Sequence, residues 1–323
     1  MTLRCEHFGN IFQRDDTSKC VTTMLYSIVP EAVILSLGLL FNLVLLIALK
    51  HTWSRWTQVK WYVLLVIAGN WLDVLFKMTT QLGVKVTHSW EGGDFMCKLL
   101  MLMSVLGPSL ANMGVAALSI HVLLTSITGC HGNRLRHALV LGLFVLLSLP
   151  WPVTQIPVYG VFTHGRGEDE YSICTDHDFF ASHDSAPYLR FYFYVAGAIA
   201  CVFFPLVVVV GALVGSLMLN CSAYNGSSKS ESNTSDLVLT ALLGFVLMIT
   251  CVPVSGFIFH FRGHITFGDE TMMLYFGLTY LFYCRAILSA LVCVVFAYAH
   301  VFRKGRAEQY DTGRKGEGQN LMN

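Results

Sequence analysis

Residues 26–49 read YSIVPEAVILSLGLLFNLVLLIAL, an apolar run long enough to cross a bilayer as one helix. The hydrocarbon core is about 30 Å thick and takes about 20 helical residues. Six more runs follow: Trp61–Val84, Phe95–Ile127, Ala138–Val161, Leu189–Met218, Leu237–Phe261 and Thr271–Val301. In lipid, only helices and closed barrels pair every backbone group. Barrel strands would alternate polar and apolar residues over about ten positions. These runs do not alternate, so the sequence predicts an all-α membrane protein, a bundle of seven transmembrane helices.

The composition agrees. Of 323 residues, 54% are apolar and 13% charged, about half the roughly 25% charged share of a soluble domain. Mean hydropathy is +0.59. Membrane lipid is the expected partner, and a net charge of +1 leaves no footprint for nucleic acid. The connections are too short to hold a soluble domain. The expected organisation is an outer tail over 1–25, one spanning domain over 26–301 and a cytoplasmic tail over 302–323. The start, MTLRCEHFGN, has no secretory apolar core, so the first span is expected to serve as an uncleaved signal anchor.

Loop charges set the orientation. With the N-terminus outside, the inner segments hold eleven Lys and Arg: Lys50, Arg55, Lys60, Arg134, Arg136, Lys229, Arg303, Lys304, Arg306, Arg314 and Lys315. The outer segments hold six: Arg4, Arg14, Lys19, Lys85, Arg166 and Arg262. The Ser- and Asn-rich segment Asn220–Asp236 then lies inside, where its sequons at Asn220, Asn225 and Asn233 should carry no glycan. The acidic loop Phe162–Pro187 lies outside and is the longest connection.

A series of short motifs follows the chain in order. Trp90-Glu-Gly-Gly-Asp-Phe-Met-Cys97 precedes the third span, and Cys174 lies in the second outer loop. Gly38-Leu-Leu-Phe-Asn42, Leu72-Asp73, Phe204-Pro205, Thr250-Cys251-Val252-Pro253 and Phe296-Ala-Tyr298 with Phe302-Arg-Lys304 complete it. Together they resemble the landmarks of rhodopsin-like (class A) G-protein-coupled receptors, and of peptide and chemokine receptors in particular. The resemblance implies a Cys97–Cys174 disulfide, with two free thiols as the alternative, and a short amphipathic helix after the seventh span. It implies a plasma-membrane location, a heterotrimeric G protein as partner, and a peptide or chemokine as ligand. Chemokine receptors pair an N-tail cysteine with one in the third outer loop. Residues 262–270 contain none, so Cys5–Cys20 is the expected local pair, against free thiols or an intermolecular bridge. The N-tail also lacks the acidic, tyrosine-rich run that suits basic chemokines.

Three switch positions depart from the family. His121-Val122-Leu123 stands where relatives carry Asp-Arg-Tyr. Cys251 replaces the tryptophan before Pro253, and Val292-Cys293-Val294-Val295-Phe296 replaces Asn-Pro-x-x-Tyr. A retained scaffold with altered switches resembles the divergent receptors that herpesviruses encode. Two functions stay open: a receptor signalling through host G proteins without a ligand, or a non-signalling relative that sequesters ligand or pairs with host membrane proteins. No nucleophile–base set or metal motif shares one depth, so no enzyme and no cofactor is expected.

Charges within spans need partners. Asp73 and Lys77 share a helix face at i, i+4. Arg285 sits mid-way along the seventh span, which packs beside the second in this family. The expectation is that Lys77 and Arg285 surround Asp73 and displace the sodium ion that relatives bind there, with Asn42 and Asn70 adding hydrogen bonds. A structural salt bridge without a switching role is the alternative. His121 is either a titrating group or a polar helix end. Pro108 should remove one backbone hydrogen bond in the third helix, and Pro150, Pro152 and Pro157 should bend the end of the fourth.

Overall fold

The computed structural model describes residues 17–53, 58–77, 82, 90–128, 134–156, 159–164, 171–176, 195–223, 231–261, 274 and 277–299. Its helices are α1 (Thr17–His51), α2 (Val59–Lys77), α3 (Gly93–Thr128) and α4 (Arg134–Ser148). A short helix, Pro150–Gln155, continues α4. A hairpin follows, β1 (Tyr159–His164) and β2 (Tyr171–Asp176). Next come α5 (Phe204–Ala223), entered through a π-helical turn at Ile199–Phe203, then α6 (Glu231–Phe261) and α7 (Gly277–Ala299). Seven helices are long and apolar enough to span a membrane, so the chain is an all-α, multi-pass membrane bundle in contact with lipid. The segment expected to form a C-terminal amphipathic helix lies outside the described residues, as does Cys5 of the expected Cys5–Cys20 pair.

α1 begins at Thr17 and carries the candidate span Ile28–His51. One boundary corrects the sequence reading. The fourth span ends at Thr154, not Val161. The prolines at 150 and 152 interrupt the backbone ladder, and the β-branched and aromatic residues that follow pair as a strand instead.

Lipid-facing and packed sides are distinct on each helix. On α4, Leu135, Leu139, Leu143 and Leu146 form an exposed stripe, while His137, Phe144 and Ser148 turn inward. Spacings of three and four put each set on one face. Water is not the solvent of the exposed leucines, so little hydrophobic force draws the helices together. Close packing of small residues substitutes for it.

The α2–α3 crossing is the clearest case. Gly69 lies against the backbones of Gly107 and Ala111, and Gly107 against that of Asp73. A Cβ on Gly69 would sit 2.5 Å from the Ala111 nitrogen. One helical turn on, Gly114 faces Val66. α3 also contacts α4, α5, α6 and both strands, and so forms the centre of the bundle.

Prolines supply further α3 contacts by freeing carbonyls. Pro205 has no N–H to offer the carbonyl of Cys201, and Asn112 Nδ2 donates to that oxygen at 2.8 Å. Pro152 likewise leaves the carbonyl of Ser148, which accepts from Ser109 Oγ at 3.0 Å. α3 is therefore joined to α4 and α5 by hydrogen bonds that two breaks in neighbouring helices make available.

The hairpin caps the α3 start. Its antiparallel register sets Val161 opposite Cys174. The sulfurs of Cys97 and Cys174 lie at bonding distance, with Cα atoms 5.5 Å apart. The Trp90–Cys97 segment has local reasons for its residues. Gly93 has φ 72°, which a side chain would strain. Gly92 leaves room for the Trp90 ring, which a Cβ would approach to 2.6 Å. Trp90 Nε1 donates to the Gly93 carbonyl (2.9 Å), and its backbone N–H donates to Ser172 (2.6 Å).

Candidate functional site

Ionisable groups lie together at the α2–α3–α7 junction. Asp73 is buried by the backbone approach of Gly107. Lys77, one turn on, contacts Asp73 Oδ1. Arg285 comes from α7, and its Nη2 donates to Asp73 Oδ2 at 2.6 Å. Both carboxylate oxygens therefore face a cation of the chain itself. The three groups sum to one negative and two positive charges.

The second cation is held by other contacts. Lys77 Nζ lies 4.5 Å from the Phe282 ring centroid and 4.6 Å from that of Tyr283. The Arg285 guanidinium lies 5.2 Å from the Phe282 centroid. A ring face attracts a cation by about 2 kcal/mol or more when both are desolvated. Arg285 Nη1 donates to Asn112 Oδ1 (3.1 Å) and to the Pro108 carbonyl (3.3 Å). Asn112 then reaches the freed Cys201 carbonyl, so one polar chain runs from α2 through α7 and α3 to α5.

An amide cluster lies below it. Asn42 Nδ2 uses both hydrogens, on the carbonyls of Gly38 (2.8 Å) and Ala286 (3.0 Å). Asn70 Nδ2 donates to Asn42 Oδ1 (3.2 Å) and Ser289 Oγ (2.9 Å). These bonds fix α1, α2 and α7 to one another near the charged cluster, because amide hydrogens left unpaired in lipid are costly.

The residues at the expected switch positions occupy three places. His121 is buried and stacks on Tyr62, with ring centroids 5.1 Å apart. His137 meets it edge-on at 4.7 Å and takes or gives a hydrogen bond with the Tyr62 hydroxyl at 3.2 Å. Val122 is buried, and Leu123 packs toward Gly215 of α5. Cys251 is buried beside Val202 and Leu247, close to Asn112 and one residue from Thr250. Pro253 follows within α6. Cys293 is fully buried, with Val292 and Phe296 packed against the same apolar core.

Sequence reading missed three residues of this arrangement and one further buried acid. Glu31 is a buried acid of the first span, legible as an ionisable residue in an apolar run. Asn112 was signalled by an amide within the third span together with Pro205, which frees a carbonyl. Tyr62 and His137 carried no local signal, since their contact with His121 depends on how three helices converge. Among the described residues, no group of three or more His, Cys, Asp or Glu is placed to hold a metal.

No protein-family model matches the chain, and comparison with curated proteins finds no match either.

Proposed function

We propose that this chain is a divergent receptor of the rhodopsin-like type, virus-encoded in character, acting at the host plasma membrane through heterotrimeric G proteins without requiring a ligand. The observation that carries the reading is the occupied carboxylate of Asp73. In the family that the motifs resemble, a sodium ion binds at this aspartate. Here Lys77 and Arg285 hold both oxygens, and a further cation would meet a net positive cluster. An ion that leaves into solution biases a conformational equilibrium according to its concentration. A cation attached to the chain does not, so the balance of states becomes a fixed property of the protein.

The test is basal G-protein activation in cells expressing the full chain, with surface expression verified. The expected result is an inhibitor-sensitive signal in membranes, equal in sodium and in potassium medium. A sodium-dependent signal would overturn the ion argument. Glycans at Asn220, Asn225 or Asn233 would overturn the N-outside orientation.

One observation favours the second reading, a silent relative that sequesters ligand or pairs with host membrane proteins. Val122 stands where relatives present an arginine to the G protein and is buried in the apolar core, and His121, in place of the neighbouring acid, is buried against Tyr62 and His137. Absence of an inhibitor-sensitive signal from surface-expressed protein would select that reading.

A further inference from the structure

A cavity of about 420 Å³ lies where α2 and α4 begin. Tyr62 and His137, joined by their hydrogen bond, form its buried side. Lys60 and Arg134 line it as well, and among the described residues no carboxylate does. Among the described residues neither cation forms an ion pair. Lys60 Nζ is held at this end of the bundle by the Trp53 ring, 4.5 Å from its centroid. α2 starts at Val59 and α4 at Arg134, so both helix dipoles direct their positive ends here.

The location narrows the class of anion. The cavity lies at the ends of two spans, which is headgroup depth. Gln58, Trp61, Ala138 and Leu141 also line it, and Trp61 is 43% exposed, as expected for an interfacial ring. On the cavity's own face of α4, Ala138 is exposed and Val145, one turn past Leu141, is half-buried, a surface for acyl chains rather than water. A soluble anion would use the charges and leave that apolar flank uncovered. A phospholipid uses both.

We propose that this cavity binds the headgroup of an anionic phospholipid, with the phosphate between Lys60 and Arg134 and the acyl chains along α2 and α4. Basic recesses between spans are the form such sites take. The site depends only on the membrane-spanning fold and is independent of whether the chain signals.

The test uses the full chain in nanodiscs containing zwitterionic lipid and a minor share of anionic phosphatidylglycerol, with retained lipids counted by native mass spectrometry. The wild type should retain anionic lipid selectively. Each cation removed should lower that enrichment about fivefold, so K60Q/R134Q should lose most of it. A control pair from the same side of the bundle but outside the cavity, K50Q/R136Q, should retain it. Equal loss in both pairs, or retention in K60Q/R134Q, would overturn the site. Inorganic phosphate that stabilises the detergent-solubilised chain as well as the lipid does would overturn the lipid assignment. If K60Q/R134Q does not fold, Trp61 reports without touching the cations. The part of the fluorescence lost in W61F should be quenched more by brominated anionic lipid than by brominated zwitterionic lipid, and equal quenching would overturn the proposal.

Discussion

Replacing Arg285 with Met keeps much of its volume and removes its charge. The structure gives the groups that would be affected. Asp73 Oδ2 loses a donor at 2.6 Å, while Asn112 Oδ1 and the Pro108 carbonyl lose donors at 3.1 and 3.3 Å. Breaking a buried ion pair on one side costs about 3–5 kcal/mol. Lys77 remains on Asp73 Oδ1, so the loss should fall near the low end, at about 3 kcal/mol. Asp73→Asn removes the only anion of the trio and leaves two cations facing each other, so it should cost more than Arg285→Met. The double variant D73N/R285M leaves Lys77 with its aromatic contacts and should cost less than the sum of the two single changes, by about 1–3 kcal/mol. The assay is equilibrium unfolding of the purified chain in mixed micelles of dodecyl maltoside and SDS, followed by circular dichroism. Additivity of the two changes within about 0.5 kcal/mol would refute the reasoning, because the groups would then not be coupled.

Three further outcomes follow from the packing. Gly107→Ala places a methyl group against the Asp73 backbone and should cost about 1–3 kcal/mol in the same assay, whereas Gly142→Ala, with open space around it, should be neutral or mildly stabilising; similar effects at both sites would contradict the α2–α3 crossing. Asn112→Ala leaves the Cys201 carbonyl without its side-chain donor and Arg285 without one acceptor, and should cost about 1–3 kcal/mol; wild-type stability in that variant would show that these bonds contribute nothing. The intact chain should show one linked peptide joining Cys97 to Cys174 by non-reducing mass spectrometry, and C97S/C174S should lose less than the roughly 4.5 kcal/mol that chain entropy assigns to a separation of 77 residues, because α3 and α4, once inserted, already return the chain to the same side.

How much of this was legible in the residues depends on the kind of force involved. The spans were legible because lipid imposes length and hydrophobicity on each helix separately, and no partner needs to be known. The fourth span exceeded its true end because Val158–Phe162 is apolar enough for a helix, and only the prolines at 150, 152 and 157 argued otherwise. The Asp73–Lys77 contact was legible from spacing on one helix. The contact with Arg285 required knowing that α2 and α7 are neighbours, which the motif resemblance supplied and composition did not. Asn112 was half legible, as a polar residue with an unknown partner. The His121 environment was not legible at all. Its partners come from the start of α2 and the start of α4, and nothing near position 121 indicates that two rings converge on it. That difference bears on function. Sequence alone shows no charge at 121–123 and would leave the C-terminal end of α3 open. The packing instead fills it with Tyr62 and His137, so α2, α3 and α4 are joined there by stacked rings. A change of state that moves the C-terminal end of α3 must break that stack as well as the apolar core around Val122. The charges at Asp73 and the stacked rings at His121 thus tie α2 to α3 at two depths, the first through Arg285 of α7 and Asn112, the second by direct ring stacking.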